Sequence, residues 1–315
     1  MSALICGSMA YDTIMSYPDA FKNHIMPDKV HMLNVCFEVP ELRREFGGTA
    51  GNIAYNLKLL GGEPLPMASV GEDFAPYAAW MDKQGITRQY VQQIPGAYTA
   101  QAYITTDKDD NQITAFHPGA MAQAHQQSVP ADAGVSIGII APDGRDAMLQ
   151  HAEQFQEAGI PFIFDPGQGL PLFGKDELRR FIELARWVVV NDYESQLLER
   201  NSGLTAQQIA EQVDALIVTW GGKGSVIYTE GGRVRVDVPP VMPASLVDPT
   251  GCGDAYRAGL LYGLMNMLDW QTTGHIASLM GSMCIASRGT QNHKFNRAQF
   301  DARYEVAFGT KLETA

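Results

Sequence analysis

The sequence predicts an α/β fold built on a doubly wound, mostly parallel β-sheet that is flanked by helices. From about residue 136 onward, short β-rich runs alternate with stretches of helical spacing. The runs span residues 136–141, 162–165, 187–191 and 216–219, and the helical stretches span residues 146–158 and 175–186. Because the runs are apolar on both faces and are separated by helices, they favour parallel βαβ units. Ligands of such sheets gather at the carboxyl ends of the strands.

Composition and charge narrow the class of protein. The chain has 315 residues and is 45% hydrophobic, which is enough for a sizeable core. Its formal net charge of -12 gives no global positive field that would hold nucleic acid or an anionic membrane. The four cysteines lack zinc-site spacing, and neither an export signal nor a run of about 18 apolar residues occurs. We expect a cytoplasmic protein with a small-molecule ligand and no nucleic-acid or membrane partner.

Two stretches depart from the alternation of strands and helices. Residues 11–46 contain several prolines between short extended runs, and residues 98–117 alternate like strands around the turn-rich sequence Asp107-Lys-Asp-Asp-Asn111. The two stretches can pair as a small β-sheet lid on a single domain that spans residues 1–315. The alternative is two ordinary surface excursions.

The most informative motif is Asp248-Pro-Thr-Gly-Cys-Gly-Asp254, which leads into an apolar helical pattern. Gly251, Cys252 and Gly253 would present backbone N–H groups at the helix start, where the helix dipole favours an anion. Asp254 stands at the start of the same helix, and a carboxylate beside a bound phosphate can accept a proton from an attacking hydroxyl. The alternative is an aspartate that only caps the helix after a tight glycine turn.

A second glycine-rich motif, Gly47-Gly-Thr-Ala-Gly-Asn52, precedes a helical pattern that ends at a glycine pair. Gly47 and Gly48 can act as a hinge, and Asn52 offers both a donor and an acceptor to a sugar hydroxyl. Asp12 follows an apolar strand at residues 4–5, at a plausible strand end, and can bind two hydroxyls of a ribose. A capping Asn52 and a turn Asp12 are the alternatives.

Two motifs at predicted strand ends are candidates for binding a nucleotide and its metal. Val218-Thr-Trp-Gly-Gly-Lys-Gly-Ser225 runs into a glycine-rich turn that a nucleotide can approach closely, although it lacks P-loop spacing. Asn191-Asp-Tyr-Glu194 follows another strand, and its amide and carboxylate can orient waters around Mg²⁺. A hairpin turn and a solvated charge at a helix start are the alternatives.

Taken together, these motifs resemble the ribokinase-like (PfkB) family of carbohydrate kinases over nearly the whole chain. Gly47-Gly-Thr-Ala-Gly-Asn52 is similar to the N-terminal motif of the family, and Asp248-Pro-Thr-Gly-Cys-Gly-Asp254 is similar to its C-terminal motif. Within the family, the bacterial adenosine-kinase-like branch is most similar, through segments such as Asp165-Pro-Gly167.

The resemblance implies a ribokinase-like fold with a β-sheet lid over the sugar, and it implies a role for each motif. Asp254 would deprotonate the ribose 5′-hydroxyl, and residues 251–253 would form an anion hole. Residues implied to bind the sugar are Asp12, Gly47, Gly48 and Asn52. Residues implied to bind ATP or to hold Mg²⁺ through water are Asn191, Glu194, Thr219, Gly221 and Gly224. Candidates to stack on a base are Phe37, Tyr103 and Phe116.

The C-terminal motif departs from the family at two positions. Pro249 replaces the usual threonine, which removes a hydroxyl and an N–H at that position. Asp248, beside it, resembles a ligand of the family's monovalent-cation site, and K⁺ is therefore a candidate cofactor. Cys252 replaces the usual alanine, and a thiol at a helix N-terminus can have a lowered pKa and be sensitive to oxidation. A small residue that simply fits the turn is the alternative for Cys252.

The resemblance predicts an ATP- and Mg²⁺-dependent nucleoside kinase, with adenosine the expected substrate and AMP and ADP the expected products, in purine salvage. We expect a monomer or a homodimer. The alternatives are a sugar kinase for ribose or fructose and a non-catalytic nucleoside-binding sensor.

Overall fold

The computed structural model describes residues 1–25, 35–109, 111–131 and 134–313. Residues 26–34 of the first predicted lid stretch and residue 110 of the predicted hairpin turn lie outside the described residues. In the described ranges, no helix is both long enough and apolar enough to cross a membrane.

The strands of the described residues form two sheets. They are β1 (Ser2–Cys6), β2 (Ala10–Ser16), β3 (Glu41–Gly47), β4 (Glu63–Val70), β5 (Tyr90–Gln93), β6 (Ala100–Thr106), β7 (Gln112–His117), β8 (Val135–Ile140), β9 (Phe162–Phe164), β10 (Trp187–Asn191), β11 (Ala215–Thr219), β12 (Ser225–Thr229) and β13 (Val234–Val238).

Helices connect most of these strands. The α-helices are α1 (Thr49–Leu59), α2 (Ala75–Gln84), α3 (Arg145–Glu157), α4 (Lys175–Leu184), α5 (Asp192–Ser202), α6 (Ala206–Ala210), α7 (Cys252–Met265), α8 (Trp270–Ile285) and α9 (Arg297–Phe308). Short 3₁₀ helices occur at Phe21–Asn23, Gly119–Gln126, Gly167–Leu172 and Gly221–Lys223.

The main sheet has nine strands in the order β13-β12-β11-β10-β9-β8-β1-β4-β5. Seven neighbouring strands of this sheet are parallel: β5, β4, β1, β8, β9, β10 and β11. The last two, β12 and β13, form an antiparallel edge. Each face buries its own core because successive side chains of a strand point to opposite faces. In β10, Val189 packs in the core that contains α1, α7 and α8, whereas Val188 and Val190 pack in the core that contains α3, α4 and α5. The predicted doubly wound, mostly parallel sheet is confirmed.

The second sheet has four strands in the order β3-β2-β6-β7. Its centre is the parallel pair of β2 and β6, which joins the two stretches that depart from the βαβ pattern. β3 pairs with β2 and β7 pairs with β6, both antiparallel. The predicted small sheet is therefore present, and its closure over a ligand stays a prediction.

The early part of the chain differs from the sequence reading in two places. The parallel strands of the main sheet start at β1 and β4, long before residue 136. Strand β4 was not predicted because it contains Pro64 and Pro66, and proline in a sequence argues against a central strand. Asp12 lies inside β2 of the small sheet. The expected strand end or turn at Asp12 is wrong, because the chain enters a second strand soon after β1.

Candidate active site

The N-termini of α1 and α7 meet at a hydrogen bond between two side chains of the predicted site. Asn52, in the first turn of α1, donates from Nδ2 to Oδ2 of Asp254, in the first turn of α7, over 2.8 Å. The N-caps are Gly48 and Gly251, at φ values of 85° and 79° that favour glycine. Neither Asn52 nor Asp254 therefore caps its helix, and the capping alternatives for both residues are wrong.

The environment of Asp254 changes its acidity. Burial raises the pKa of Asp254 to about 7, and the hydrogen bond from Asn52 and the charge of Arg257 oppose that rise. A carboxyl group with a pKa near neutrality can hold a proton and release it at working pH, as a general base must. The sequence placed Asp254 at a helix start but gave no sign of this shift.

The turn before α7 is fixed from both sides. Asp248 accepts hydrogen bonds from the N–H groups of Thr250 and Gly289, both over 3.0 Å. A Cβ on Gly251 would lie 2.9 Å from Thr290, whereas Gly253 is exposed. The turn is therefore rigid at Gly251 and exposed at Gly253, where an anion can approach the helix N-terminus. The predicted set of three free N–H groups is wrong at Cys252, because its N–H already donates to the carbonyl of Pro249 over 3.3 Å.

Arg43 of the small sheet reaches the same turn. Its guanidinium lies 3.5 Å from Asp248 Oδ2 and 3.1 Å from Glu45. Burial alone would raise the pKa of Asp248, but hydrogen bonds from Gly289 and Thr250 outweigh it and lower that pKa. Both oxygens of Asp248 thus already have donors and a positive charge beside them.

Arg257, which the sequence reading missed, joins the turn to two other motifs. It is 7% exposed and makes two hydrogen bonds to the 2% exposed Asp165, over 2.9 and 3.0 Å. Its guanidinium also lies 3.9 Å from Glu194 and 3.5 Å from the carbonyl of Gly253. Arg257 lies one turn after Asp254 on an apolar helix, and a buried arginine requires a carboxylate partner. That requirement was the signal in the sequence that could have identified Arg257 as part of the site.

Asn191 and Glu194 form a capping box at the start of α5. Asn191 Oδ1 accepts from the N–H of Glu194 over 2.7 Å, and Glu194 Oε2 accepts from the N–H of Asn191 over 2.8 Å. Burial raises the pKa of Glu194. Within the described residues, no cluster of three or more His, Cys, Asp or Glu side chains could hold a metal directly. The capping box engages Oε2 of Glu194 and Oδ1 of Asn191, and the predicted role of the two residues in holding Mg²⁺ through water stays a prediction.

Thr219, Gly221 and Gly224 lie where β11 turns back into β12. Thr219 is in register with Asn191 of β10, so both lie at the carboxyl edge of the main sheet. Gly221 and Gly224 have φ values of 54° and 92°, and a Cβ on Gly224 would lie 2.2 Å from the carbonyl of Val238. The segment is a hairpin turn, as the simpler alternative had it, and residues 221–223 are exposed whereas Gly224 is buried.

One face of the small sheet carries Asp12. Asp12 is opposite Ala102 of β6, and Ala102 is opposite Phe116 of β7, so all three side chains share that face. Two strand spacings separate Asp12 from Phe116 by about 10 Å. A Cβ on Gly47 would lie 2.3 Å from Asp12 Oδ2, so the glycine makes room for the carboxylate. Burial and the charges of Glu45 and Asp248 raise the pKa of Asp12 to about 6.

The other two aromatic candidates lie elsewhere. Tyr103 is one position from Ala102 on β6 and therefore points to the opposite face from Asp12. Phe37 packs against Tyr17 and Phe21, with ring centroids 4.8 and 5.1 Å apart. Of the three rings, Phe116 alone shares the face of Asp12.

Cys252 has a thiol neighbour that the sequence did not reveal. A hydrogen bond with Cys284 of α8 lowers the pKa of Cys252, against the effect of burial. Cys284 also contacts the carbonyl of Thr250 over 3.7 Å. The oxidation sensitivity of Cys252 stays a prediction.

A family model and several relatives match this chain. Residues 9–296 match the model described as pfkB family carbohydrate kinase. A nucleoside kinase of Methanocaldococcus jannaschii is 32% identical over 82% of this chain and 85% of that protein.

Two structures of one bacterial protein are similar over nearly the whole chain. The nucleoside kinase of Burkholderia thailandensis in complex with inosine has a TM-score of 0.89 at 49% identity, over 98% of this chain and 99% of that one. Its complex with ADP-inosine has a TM-score of 0.88 at 50% identity, over 99% of this chain and 98% of that one.

Proposed function

The chain belongs to the pfkB family of carbohydrate kinases, and from that premise we propose that it is a nucleoside kinase, which transfers the γ-phosphoryl group of ATP to the ribose 5′-hydroxyl. Family membership identifies it as an ATP-dependent phosphotransferase that acts on a hydroxyl group. The observation that carries the proposal is the contact of Asn52 with Asp254 beside the open end of the turn at Gly253. The names of the relatives support the nucleoside as the acceptor.

Asp254 is the general base in this proposal. With a pKa of about 7, it can take the proton of the 5′-hydroxyl as that oxygen attacks the γ-phosphorus. Asp254 then carries the proton while the ADP leaving group departs. The N–H groups of Gly251 and Gly253, together with the dipole of α7, stabilise the charge on the transferred phosphoryl group, because they are fixed before the reaction begins.

The ribose lies between α1 and the small sheet. Asp12 accepts from two ribose hydroxyls, and the second N–H of the Asn52 amide donates to another ribose oxygen. Gly47 leaves room for the carboxylate of Asp12, and Gly48 lets the turn before α1 pack against the backbone of residues 8–10. Phe116 then lies about 10 Å from Asp12 on the same face, a distance at which its ring can stack on the base of a nucleoside.

The nucleotide lies along the carboxyl edge of the main sheet, beside Thr219, Gly221 and Gly224. Glu194 and Asn191 would hold Mg²⁺ through water, and the ion would neutralise charge on the phosphates. Because Arg43 already places a positive charge beside Asp248, we expect K⁺ to change the rate only slightly. We further propose a cytoplasmic role in purine salvage.

Adenosine is the substrate that the sequence resemblance predicts, and inosine is its strongest competitor because a structure of a similar kinase is in complex with inosine. A direct test measures ADP formation from ATP and Mg²⁺ with adenosine, inosine, guanosine, cytidine, ribose and fructose. The native chain is compared with Asp254→Asn. We expect turnover with at least one purine nucleoside and its loss in the variant.

Two other outcomes would replace the proposal. Turnover with a free sugar alone would make the chain a sugar kinase of the same family, since Asp12 and Asn52 contact the sugar and not the base. Nucleoside binding without any ADP formation would favour a nucleoside-binding sensor.

A further inference from the structure

A chain of hydrogen bonds, buried at its centre, continues behind Asn52, away from the proposed substrate. Trp80 Nε1 donates to Gln291 Oε1 over 2.9 Å, and Gln291 Nε2 donates to Asn52 Oδ1 over 3.0 Å. Asn52 Nδ2 then donates to Asp254 over 2.8 Å. We call Trp80, Gln291 and Asn52 the amide relay. It joins α2, the segment after α8, α1 and α7.

The chemistry of the indole sets the direction of every bond in the amide relay. An indole N–H can only donate, so Gln291 must turn its carbonyl oxygen toward Trp80 and its amino group toward Asn52. Asn52 must therefore present its oxygen to Gln291, which leaves its amino group for Asp254. A reversed Asn52 would place its oxygen against the carboxylate of Asp254, where two acceptors would repel each other.

Two features hold Gln291 in this orientation. Its second N–H donates to the hydroxyl of Tyr77 over 2.6 Å, and that hydroxyl donates to the carbonyl of Gly47 over 2.9 Å. Gln291 and Asn52 are 3% and 4% exposed, so a lost hydrogen bond cannot be replaced readily by water. The hydrogen bonds that join Trp80, Gln291, Tyr77 and Asn52 can therefore all form in one arrangement only.

We propose that Gln291, held by Trp80, is a positioning residue that turns Asn52 so that its amino group faces Asp254 and favours the carboxylate form of this base. The inference rests on the proposed role of Asp254 as the general base. Gln291 contacts no reacting atom and acts only through Asn52. Its effect is to keep Asp254 deprotonated at a lower pH than its burial alone would allow. The charge of Arg257 acts in the same direction as the Asn52 amide, and the charges of Asp165 and Asp12 oppose both.

The test is the pH dependence of kcat/KM with a nucleoside that is turned over, in the native enzyme and in variants of the relay. Gln291→Glu replaces the donor with an acceptor, so Asn52 must turn its amino group away from Asp254. We expect the acid limb of the profile to move up by about one pH unit. Gln291→Met removes the donor without adding a charge, and the limb should move in the same direction by about half as much.

Trp80→Phe keeps the ring that packs on Phe46 and Tyr55 but removes the indole N–H. We expect its limb to move upward as well, and the double variant with Gln291→Met should match Gln291→Met alone, because Trp80 acts through Gln291. The matched control is Trp187→Phe, at the opposite end of β10 from Asn191, which should leave the limb unchanged. Melting temperature and nucleoside affinity, measured on each variant, separate this shift from a loss of structure.

The outcomes are distinct from those that test the base itself. If Asp254→Asn is inactive but the acid limb stays in place in Gln291→Met and Trp80→Phe, the relay is overturned and the base stands. If the shifts of Trp80→Phe and Gln291→Met add, Trp80 does not act through Gln291, and the relay is again overturned. If Asp254→Asn retains full activity, both proposals fail. Should Gln291→Glu not fold, the two neutral variants still decide.

Discussion

The first turn of α7 and the exposed face of the small sheet differ in how complete they are without a ligand. Around α7, Arg257 is 7% exposed and is bound to Asp165, and Asp254 already has its partner Asn52. On the sheet, Phe116 is 53% exposed and belongs to a strand whose described residues are all exposed. The groups that would do chemistry are fixed in advance, which is what electrostatic stabilisation of a transition state requires. The surface that would recognise the base is open.

Substitutions at the α7 end should therefore change kcat or stability, and substitutions on the sheet face should change KM alone. Asp254→Asn should have the largest effect, a loss of kcat of about 10³-fold to 10⁴-fold, because the amide cannot accept the proton. The melting temperature should change little, since the amide oxygen of the substituted side chain can still accept from Asn52. In the native enzyme, a base with a pKa of about 7 must be deprotonated to act, so kcat/KM should fall as pH drops below that value.

The matched control for this substitution is Asp269→Asn. Asp269 also stands at a helix start, where it caps α8 by accepting from the N–H of Thr272 over 2.9 Å. Asparagine caps a helix about as well as aspartate, so kcat and stability should both stay unchanged. Equal losses in the two variants would contradict the special role of Asp254.

Arg257→Met should have the next largest effect, on stability. Methionine leaves Asp165 buried without its partner, and breaking a buried ion pair in this way costs about 3 kcal/mol or more. Urea unfolding, monitored by circular dichroism, should show a lower midpoint. The double variant Arg257→Met with Asp165→Asn should recover part of the loss, because no unpaired charge then remains. An unchanged midpoint in the single variant would mean that water reaches Asp165.

Gly253→Val comes third and separates the function of the turn from its stability. The side chain would narrow the approach to the helix N-terminus, and the loss of anion stabilisation should lower kcat by about 10²-fold. A Cβ on Gly253 would lie 3.2 Å from Nη1 at the end of the Arg257 side chain, so the melting temperature should fall less than in Arg257→Met. Gly251→Ala should lower the melting temperature more, since Gly251 has a φ of 79° and lies against Thr290. A normal rate in Gly253→Val would refute the anion-binding role of the turn.

Contacts between residues that are close in the sequence could be predicted, whereas contacts between distant residues could not. Residues 248–254 and 47–52 each encode a turn and a helix start within a few positions, so the placement of Asp254 and Asn52 followed from the motifs. The contacts of Arg257 with Asp165 and of Gln291 with Asn52 join residues 92 and 239 positions apart, and no spacing rule announces such pairs. The sequence also could not predict which side chains share a face of the small sheet, because a register shift of one residue would exchange Phe116 and His117.

The smallest expected effect is that of a substitution on the exposed face of the small sheet. Phe116→Ala should raise KM for the nucleoside about tenfold, the loss expected from one base stacked on an aromatic ring. The values of kcat and of the melting temperature should stay as they are, since Phe116 is more than half exposed and belongs to β7, an edge strand of the small sheet.

Tyr103→Ala provides the matched control, because Tyr103 is an aromatic residue of similar exposure, 43%, on the opposite face of the same sheet. Its KM should equal that of the native enzyme. Equal rises in both variants would mean that the sheet as a whole is disturbed, and no rise in either would place the base away from Phe116. A rise in Phe116→Ala alone means that the sheet recognises the base through one face, while the fixed groups around α7 carry out the transfer.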